Sequence, residues 1–419
     1  MDIKVSVIIP VYNMAKYLGE CLESIARQTL DGIEIIAIDD GSTDDSLVVL
    51  TQYQKKYANL VVLHQKNHGT GNARNNGIRH ARGKYIALMD PDDFYPQNDS
   101  LQALYEAAEK QNVLICGGII IRNYNGIRTP LNDKQDREYF SNCMVTVKEY
   151  PYLNGQTRFI YRTKMLQDHD IYYPEYRGFE DPPFTLKAFL CAEKFYGINK
   201  EVYEYRVGHK DVYYPFEISR DILYGFRDIF EMAKNNNLEN LCRNSLSIAY
   251  STYVIPKYKY AFCGNREIDK TIGEINTIIE SWSVADNNLI LTNEKVLQYR
   301  EESINERKKI EEILKQDYVI IYGAGSWAAR FLRMYKNNTE NIIGAAVTDR
   351  LKSESVVEGI EVKQIEEYIS NKDRAFVIVA VDEKYQYEIE KHLHSLGFLR
   401  IHKTDRRKNE LAEALVSSY

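Results

Sequence analysis

The sequence predicts an α/β protein in three parts: a doubly wound domain over residues 1–215, a helical segment over 216–314 and a small α/β domain over 315–419. Three observations carry this. Short apolar runs alternate with stretches of helical spacing through the first ninety or so residues. Proline almost disappears from 216 to 314, where Pro256 stands alone and long helical patterns take over. A fresh strand, glycine turn and helix then begin at 317. A chain of 419 residues exceeds what one hydrophobic core supports, so several domains are expected.

The run VSVIIP, ended by Pro10, reads as a buried strand of a parallel sheet. Residues 15–28 carry apolar side chains near 18, 21, 22 and 25, which is helical spacing. IEIIAIDDGS (33–42) is a second buried strand that runs into acids and a turn. Residues 44–57 read as a helix with Ser42 and Thr43 as available caps. LVVLHQ (60–65) is the next strand, NHGTGN a loop, and 71–82 a helix. KYIALMD (84–90) is a strand that ends on Asp90-Pro91-Asp92-Asp93. Crossovers of this length imply a doubly wound sheet, in which ligands sit outside the carboxyl ends of the strands. Asp39, Asp40, Asp90, Asp92 and Asp93 all fall at such ends.

EISRDILYGFRDIFEMAKNN and NEKVLQYREESINERKKIEEILK dominate the helical segment. In the last part, DYVIIYGAGSWAARFLRMY is a strand, a Gly-rich turn and a helix, followed by the strands IIGAAVTD (342–349) and RAFVIVAVD (374–382). Gly323, Gly325 and Ala328, with Asp349 24 residues beyond Gly325, fit the dinucleotide-binding fingerprint loosely. The helix N-terminus could hold a phosphate. The same glycines serve a tight turn and close helix–strand packing without any ligand. Trp327 would crowd a pyrophosphate at this turn, and no hydride-transfer dyad accompanies it. The segment resembles small Rossmann-like modules fused to bacterial surface-polysaccharide enzymes, and a structural or docking role is the leading expectation.

Composition sets bounds. Hydrophobic residues make up 44% and charged residues 27%, as in globular proteins, which excludes a disordered chain. A net charge of −6 gives no reason to expect a nucleic-acid partner. Cys21, Cys116, Cys143, Cys191, Cys242 and Cys263 form no CxxC pair, and reduced thiols are expected. No signal-peptide pattern and no apolar run of membrane-spanning length occur. A cytoplasmic location follows, with peripheral contact at the inner face of the cell membrane as a further expectation. The 33 tyrosines read either as filler or as platforms for sugar rings.

The acidic cluster has a chemical rationale. A nucleoside diphosphate leaving group concentrates negative charge, which a divalent cation neutralises as a Lewis acid. Mg²⁺ and Mn²⁺ take carboxylate and water oxygens, typically one or two carboxylates plus substrate phosphates. By itself Asp-Pro-Asp-Asp is also an ordinary turn.

VSVIIPVYN, then IDDGSTDDS, then GNARNNGIRHARGKYIALMDPDD together resemble the family 2 glycosyltransferases of the GT-A fold. The resemblance covers residues 3–210, about half the chain. It implies a metal-dependent, inverting transfer from a nucleotide sugar, and it implies roles. Pro10, Val11 and Tyr12 match the nucleoside-base contact. Asp40 matches the acid that accepts the N3–H of uracil, which favours a UDP-sugar. Arg74 and Asn75 match a donor-binding motif, where an arginine pairs with phosphate. Asp92 matches the principal metal ligand and Asp90 a ribose contact, while Asp93 is a further candidate ligand. The acceptor hydroxyl needs a base, and Asp181 of Gly178-Phe179-Glu180-Asp181 matches it, with Glu180 as the fallback. Pro182-Pro183 departs from the commoner pattern, in which an aromatic or acidic residue follows the pair. Arg206 is a candidate diphosphate contact and His209 a candidate third protein ligand. The expected reaction moves a sugar to a saccharide or lipid-linked acceptor in surface polysaccharide or glycolipid synthesis. The alternative is an inactive protein that binds or scaffolds sugar nucleotides.

Overall fold

The computed structural model describes residues 2–124, 126–207, 216–249, 265–282, 293–348, 355–381, 383–406, 408–409 and 412. These fall into two compact units.

In the first unit, β1 (Val5–Val11), α1 (Ala15–Ala26), β2 (Ile33–Asp39), α2 (Ser46–Lys56), β3 (Leu60–His64), α3 (Thr70–His80) and β4 (Tyr85–Leu88) alternate as the hydrophobic pattern implies. β1 pairs in parallel with β2 and β4, and β2 with β3. Every residue of β1 is buried, as a parallel strand covered on both faces requires. Gly77 explains the seat of α3. A Cβ there would lie 2.4 Å from Ile8 Cγ2 and 2.9 Å from Ile38 Cδ1. The helix therefore lies flush on β1 and β2, which fixes the positions of Arg74 and Asn75 on its buried side.

Beyond β4 the sheet becomes mixed. The elements are α4 (Ser100–Gln111), β5 (Ile115–Tyr124), β6 (Ile127–Pro130), α5 (Asp133–Tyr139), β7 (Cys143–Thr146), β8 (Phe159–Arg162), α6 (Thr163–Asp168), α7 (Asp181–Ala192) and β9 (Lys194–Arg206). The strand order is β3-β2-β1-β4-β8-β5-β9-β7, with β6 beside β5. β8 runs antiparallel to β4 and β5, whereas β9 runs parallel to β5. Here aromatic rings fill the core. Phe140, Tyr150, Phe159, Phe189 and Phe195 pack mostly edge to face, with centroids 4.9 to 6.4 Å apart. Tyr150 is thus core filler. α8 (Phe216–Asn235), α9 (Glu239–Ile248) and α10 (Arg266–Glu280) complete this unit, with α8 packed on α7, α9 and α10.

The second unit includes α11 (Asn293–Leu314), whose Ile310, Ile313 and Leu314 enter its core. The helices of 216–314 are therefore divided between the two units. β10 (Val319–Tyr322), α12 (Ser326–Met334), β11 (Ile342–Val347), β12 (Val356–Val357), β13 (Ile360–Gln364), β14 (Phe376–Val379), α13 (Glu383–Ser395) and β15 (Arg400–Lys403) follow. Their order is β12-β13-β11-β10-β14-β15, parallel throughout except for β12. This is a small Rossmann-like sheet.

Candidate active site

The acidic turn follows β4 and is strapped to the end of β9. The Tyr203 hydroxyl accepts from the Asp90 N–H at 3.1 Å and donates to Asp93 Oδ2 at 2.7 Å. The Arg206 N–H donates to Asp93 Oδ1 at 2.8 Å, and its Nε donates to the Asp92 carbonyl at 2.9 Å. Phe94 and Glu204 exchange backbone hydrogen bonds beside them. Asp93 is buried with both oxygens engaged. Burial first, then the charges of Asp90 and Asp92, push its carboxyl well above the usual range. Arg206 also pairs with Glu20 at 2.6 Å, so its guanidinium serves the turn and α1.

The Asp90 carboxylate meets α3. Arg74 Nη2 donates to Asp90 Oδ1 at 2.7 Å, and Nη1 donates to Glu180 Oε1 at 2.8 Å. Burial works against the Arg74 charge, but Asp90, Tyr173 and Glu180 outweigh it and hold the guanidinium protonated. Asn75 takes hold of the same loop. Its Nδ2 donates to the Tyr173 carbonyl at 2.9 Å and its Oδ1 accepts the Tyr173 N–H at 2.8 Å. Gly71 permits the approach, since a Cβ there would lie 3.0 Å from Glu180 Cγ and 3.2 Å from Tyr173 Cβ. Arg74 and Asn75, expected at the donor, thus link the acidic turn to the loop that carries Glu180 and Asp181.

Asp181 opens α7, with Pro182 and Pro183 in its first turn, where a missing N–H costs nothing. Its carboxyl is pushed up to about 7, by burial first and then by the charge of Glu180, against the pull of Arg74. The two adjacent acids therefore differ: Glu180 is paired with a buried cation, and the Asp181 carboxyl is pushed up to about 7.

At the other end of the edge, Pro10 and Val11 lie buried within β1, while Tyr12 just beyond it is 44% exposed. Asn13, at φ +54°, takes the Thr43 N–H on its Oδ1 at 2.7 Å, which ties this loop to the one after β2. Asp40 is buried and organises the entry to α3. It accepts from Gln65 Nε2 at 2.8 Å and from the N–H groups of His68 and Gly69 at 2.9 and 2.8 Å. A carboxylate offers about four acceptor sites, so these bonds leave room for one more donor.

In the second unit, Gly323 has φ +136°, and a Cβ there would lie 2.5 Å from the Ala380 carbonyl oxygen. That glycine serves backbone packing. Gly325 caps α12 and meets nothing within 4 Å. Trp327 does not crowd the turn as its position in sequence suggested. Its indole is buried in the core and donates to Thr404 Oγ1 at 3.0 Å. His209 and Asp349 lie outside the described residues.

Sequence reasoning missed Tyr203 and Gly71. The hydroxyl of Tyr203 acts on an acid over a hundred positions away, and no local spacing signals that. Among the described residues, no three His, Cys, Asp or Glu side chains converge into a complete metal cage. A cation that arrives with a diphosphate needs only one or two protein carboxylates, so a site of that kind would not form a three-ligand cluster. Among the described residues, no helix is long and apolar enough to cross a membrane. Cys21, Cys116, Cys143, Cys191 and Cys242 are free thiols.

A parallel half joined to a mixed half, with an acidic turn between them, defines the first unit as a GT-A fold. Staphylococcus aureus TarS 1–349 in complex with UDP shares it, with a TM-score of 0.54 and 25% identity over 66% of this chain and 81% of that one. The sequence model of glycosyl transferase family 2 matches residues 6–170. Glycosyltransferase GlyG of Streptococcus pneumoniae serotype 4 is 31% identical over 221 residues, 48% of this chain and 70% of GlyG. Uncharacterized glycosyltransferase EpsJ of Bacillus subtilis strain 168 is 28% identical over 285 residues, 65% of this chain and 83% of EpsJ. The chain belongs to glycosyl transferase family 2.

Proposed function

We propose that the chain is an inverting glycosyltransferase that moves a sugar from a UDP-sugar to a saccharide or lipid-linked acceptor in surface polysaccharide or glycolipid synthesis. The observation that carries this reading is the division of labour at Glu180-Asp181. Arg74 pairs with Glu180, and the Asp181 carboxyl is pushed up to about 7 by burial and the neighbouring Glu180 charge. The match to the UDP-bound TarS supports uridine as the base.

In this reading the acceptor hydroxyl gives its proton to Asp181 as its oxygen attacks the anomeric carbon. The bond to the diphosphate breaks with its electron pair, and the configuration inverts. Tyr12 packs on the nucleoside base and Asp40 takes its remaining donor. Asp90 contacts the ribose. Asp92 would hold Mn²⁺ or Mg²⁺, and Asp93 acts through Tyr203 and Arg206 to hold the turn in shape. A bound cation would neutralise charge on the departing diphosphate.

Calorimetry of UDP binding with manganese and with EDTA tests the donor site, and equal affinity in the two would refute it. Asp181→Asn should bind UDP as before and lose release of UDP from UDP-glucose or UDP-N-acetylglucosamine. Undiminished turnover in that variant would remove Asp181 from the role.

A further inference from the structure

The turn that delivers Glu180 and Asp181 is held on its far side by a helix beyond the residues matched to the family. Four consecutive residues, 176–179, touch α8. The Tyr176 hydroxyl donates to Asp228 Oδ2 at 2.7 Å. The Arg177 N–H donates to Asp221 Oδ2 at 2.8 Å. Gly178 lies so close that a Cβ would stand 2.8 Å from Ile218 Cγ2. Phe179 lies against Gly225, where a Cβ would meet its ring at 2.6 Å and its carbonyl oxygen at 3.0 Å.

The partners on the helix are 218, 221, 225 and 228, spaced by three, four and three residues. That spacing is a single helix face. Asp221 is buried and keeps a cation of its own, since Arg220 Nε and Nη2 donate to its Oδ1 at 3.0 and 2.9 Å. Phe179 is held at φ +65°, in the left-handed region that a large side chain rarely adopts. Its ring lies 4.5 Å from that of Phe226, centroid to centroid. A strained residue directly before a catalytic pair persists only where its surroundings over-determine it. Here Gly225 and Phe226 supply those surroundings.

We propose that α8 is a positioning element for the transfer reaction: its 218–221–225–228 face sets the turn 176–179 and so fixes where Asp181 stands. Asp221 and Gly225 are positioning residues, acting through Arg177 and Phe179. The inference rests on the reading of Asp181 as the base. Donor binding is built from α3, the acidic turn and the end of β1, so α8 should control turnover and not nucleotide affinity.

The test uses the full chain, with manganese–UDP as binding probe and UDP release from UDP-glucose and UDP-N-acetylglucosamine as readout. Gly225→Ala is expected to lower kcat by about ten- to a hundredfold, with UDP affinity within about twofold of the parent. The acid limb of its kcat–pH profile should move to lower pH as Asp181 moves further from Glu180 and the apolar wall around it. Parental kcat with an unmoved acid limb would overturn the proposal. So would a joint loss of kcat and UDP affinity, which would mean that α8 supports the whole domain. If Gly225→Ala is too unstable to assay, the pair Asp221→Asn and Asp221→Leu decides. Asn keeps an acceptor for the Arg177 N–H and should retain the higher kcat, whereas equal kcat values overturn the proposal. Asp181→Asn runs alongside. A dead Asp181→Asn beside a fully active Gly225→Ala refutes α8 alone, while an active Asp181→Asn refutes both readings.

Discussion

Arg74 bridges Asp90 and Glu180 with its two terminal nitrogens, at 2.7 and 2.8 Å, and so joins the end of a strand to a loop 90 positions later. One buried cation serves the acidic turn and the loop of Glu180 together. Removing it leaves carboxylates partly desolvated with no counter-charge, which is more damaging than losing the pair outright. Arg74→Ala should cost about 2–4 kcal/mol in urea unfolding. Arg74→Lys should recover part of this at most, because one ammonium cannot reproduce a planar fork between two acids. A loss under about 1 kcal/mol for the alanine variant would show that water already satisfies both carboxylates.

Asp181 ties activity and stability to pH in opposite directions. Its carboxyl titrates near 7 in the folded chain, against about 3.9 when unfolded. Between those values the folded state binds the extra proton, so stability falls as pH rises from about 4 through about 7. With Asp181 as the proposed base, turnover should rise over the upper part of that window. Asp181→Asn should therefore unfold at a higher temperature than the parent at pH 8, by a margin worth at most on the order of 4 kcal/mol, and match it near pH 4. A thermal midpoint difference that did not change with pH would contradict a raised carboxyl.

The alternating half of the first unit was readable because β1, β2 and β4 are buried along almost their whole length and so read as continuous apolar runs. β1, β2 and β4 lie where the runs beginning at Val5, Ile33 and Lys84 place them. The mixed half was not readable. β7 and β8 have four residues each, too short for a period, and the core beneath them is a set of rings from 140, 150, 159, 189 and 195 that meet only after folding. At the site, sequence reasoning found the acids but not what the structure has them touch. Asp93 reads as a candidate ligand from its acidic run, and the structure adds that its oxygens accept hydrogen bonds from Tyr203 and Arg206. Arg74 looked like a phosphate contact, and it stands between two carboxylates.

Tyr203 carries the next prediction. Its hydroxyl joins the Asp90 amide to Asp93 Oδ2. Tyr203→Phe keeps the ring but leaves a buried carboxylate oxygen and an N–H without that partner. Such losses cost about 1–3 kcal/mol, part of it as a looser turn. Manganese–UDP affinity should fall by about tenfold, with a lower thermal midpoint. Unchanged UDP affinity beside a lowered midpoint would mean that the clasp supports the fold and not the donor site.

The two glycines of the second unit should respond differently to a single methyl group. Gly323 has φ +136°, and a Cβ there would sit 2.5 Å from the Ala380 carbonyl oxygen, an atom of the backbone that cannot swing aside. Gly325 has φ −87° and meets nothing within 4 Å. Gly323→Ala should therefore destabilise this unit by about 2 kcal/mol or more through left-handed strain and overpacking. Gly325→Ala should change stability by less than about 1 kcal/mol. The packing of Gly323 is explained without any ligand, whereas no neighbouring atom demands a glycine at 325. Thermal unfolding of both variants, repeated with NAD⁺ and with UDP, separates the two roles. A midpoint rise with either nucleotide in the parent that Gly325→Ala abolishes would make the turn a binding site. Midpoints indifferent to both nucleotides, with only Gly323→Ala unstable, would leave the turn as a packing device.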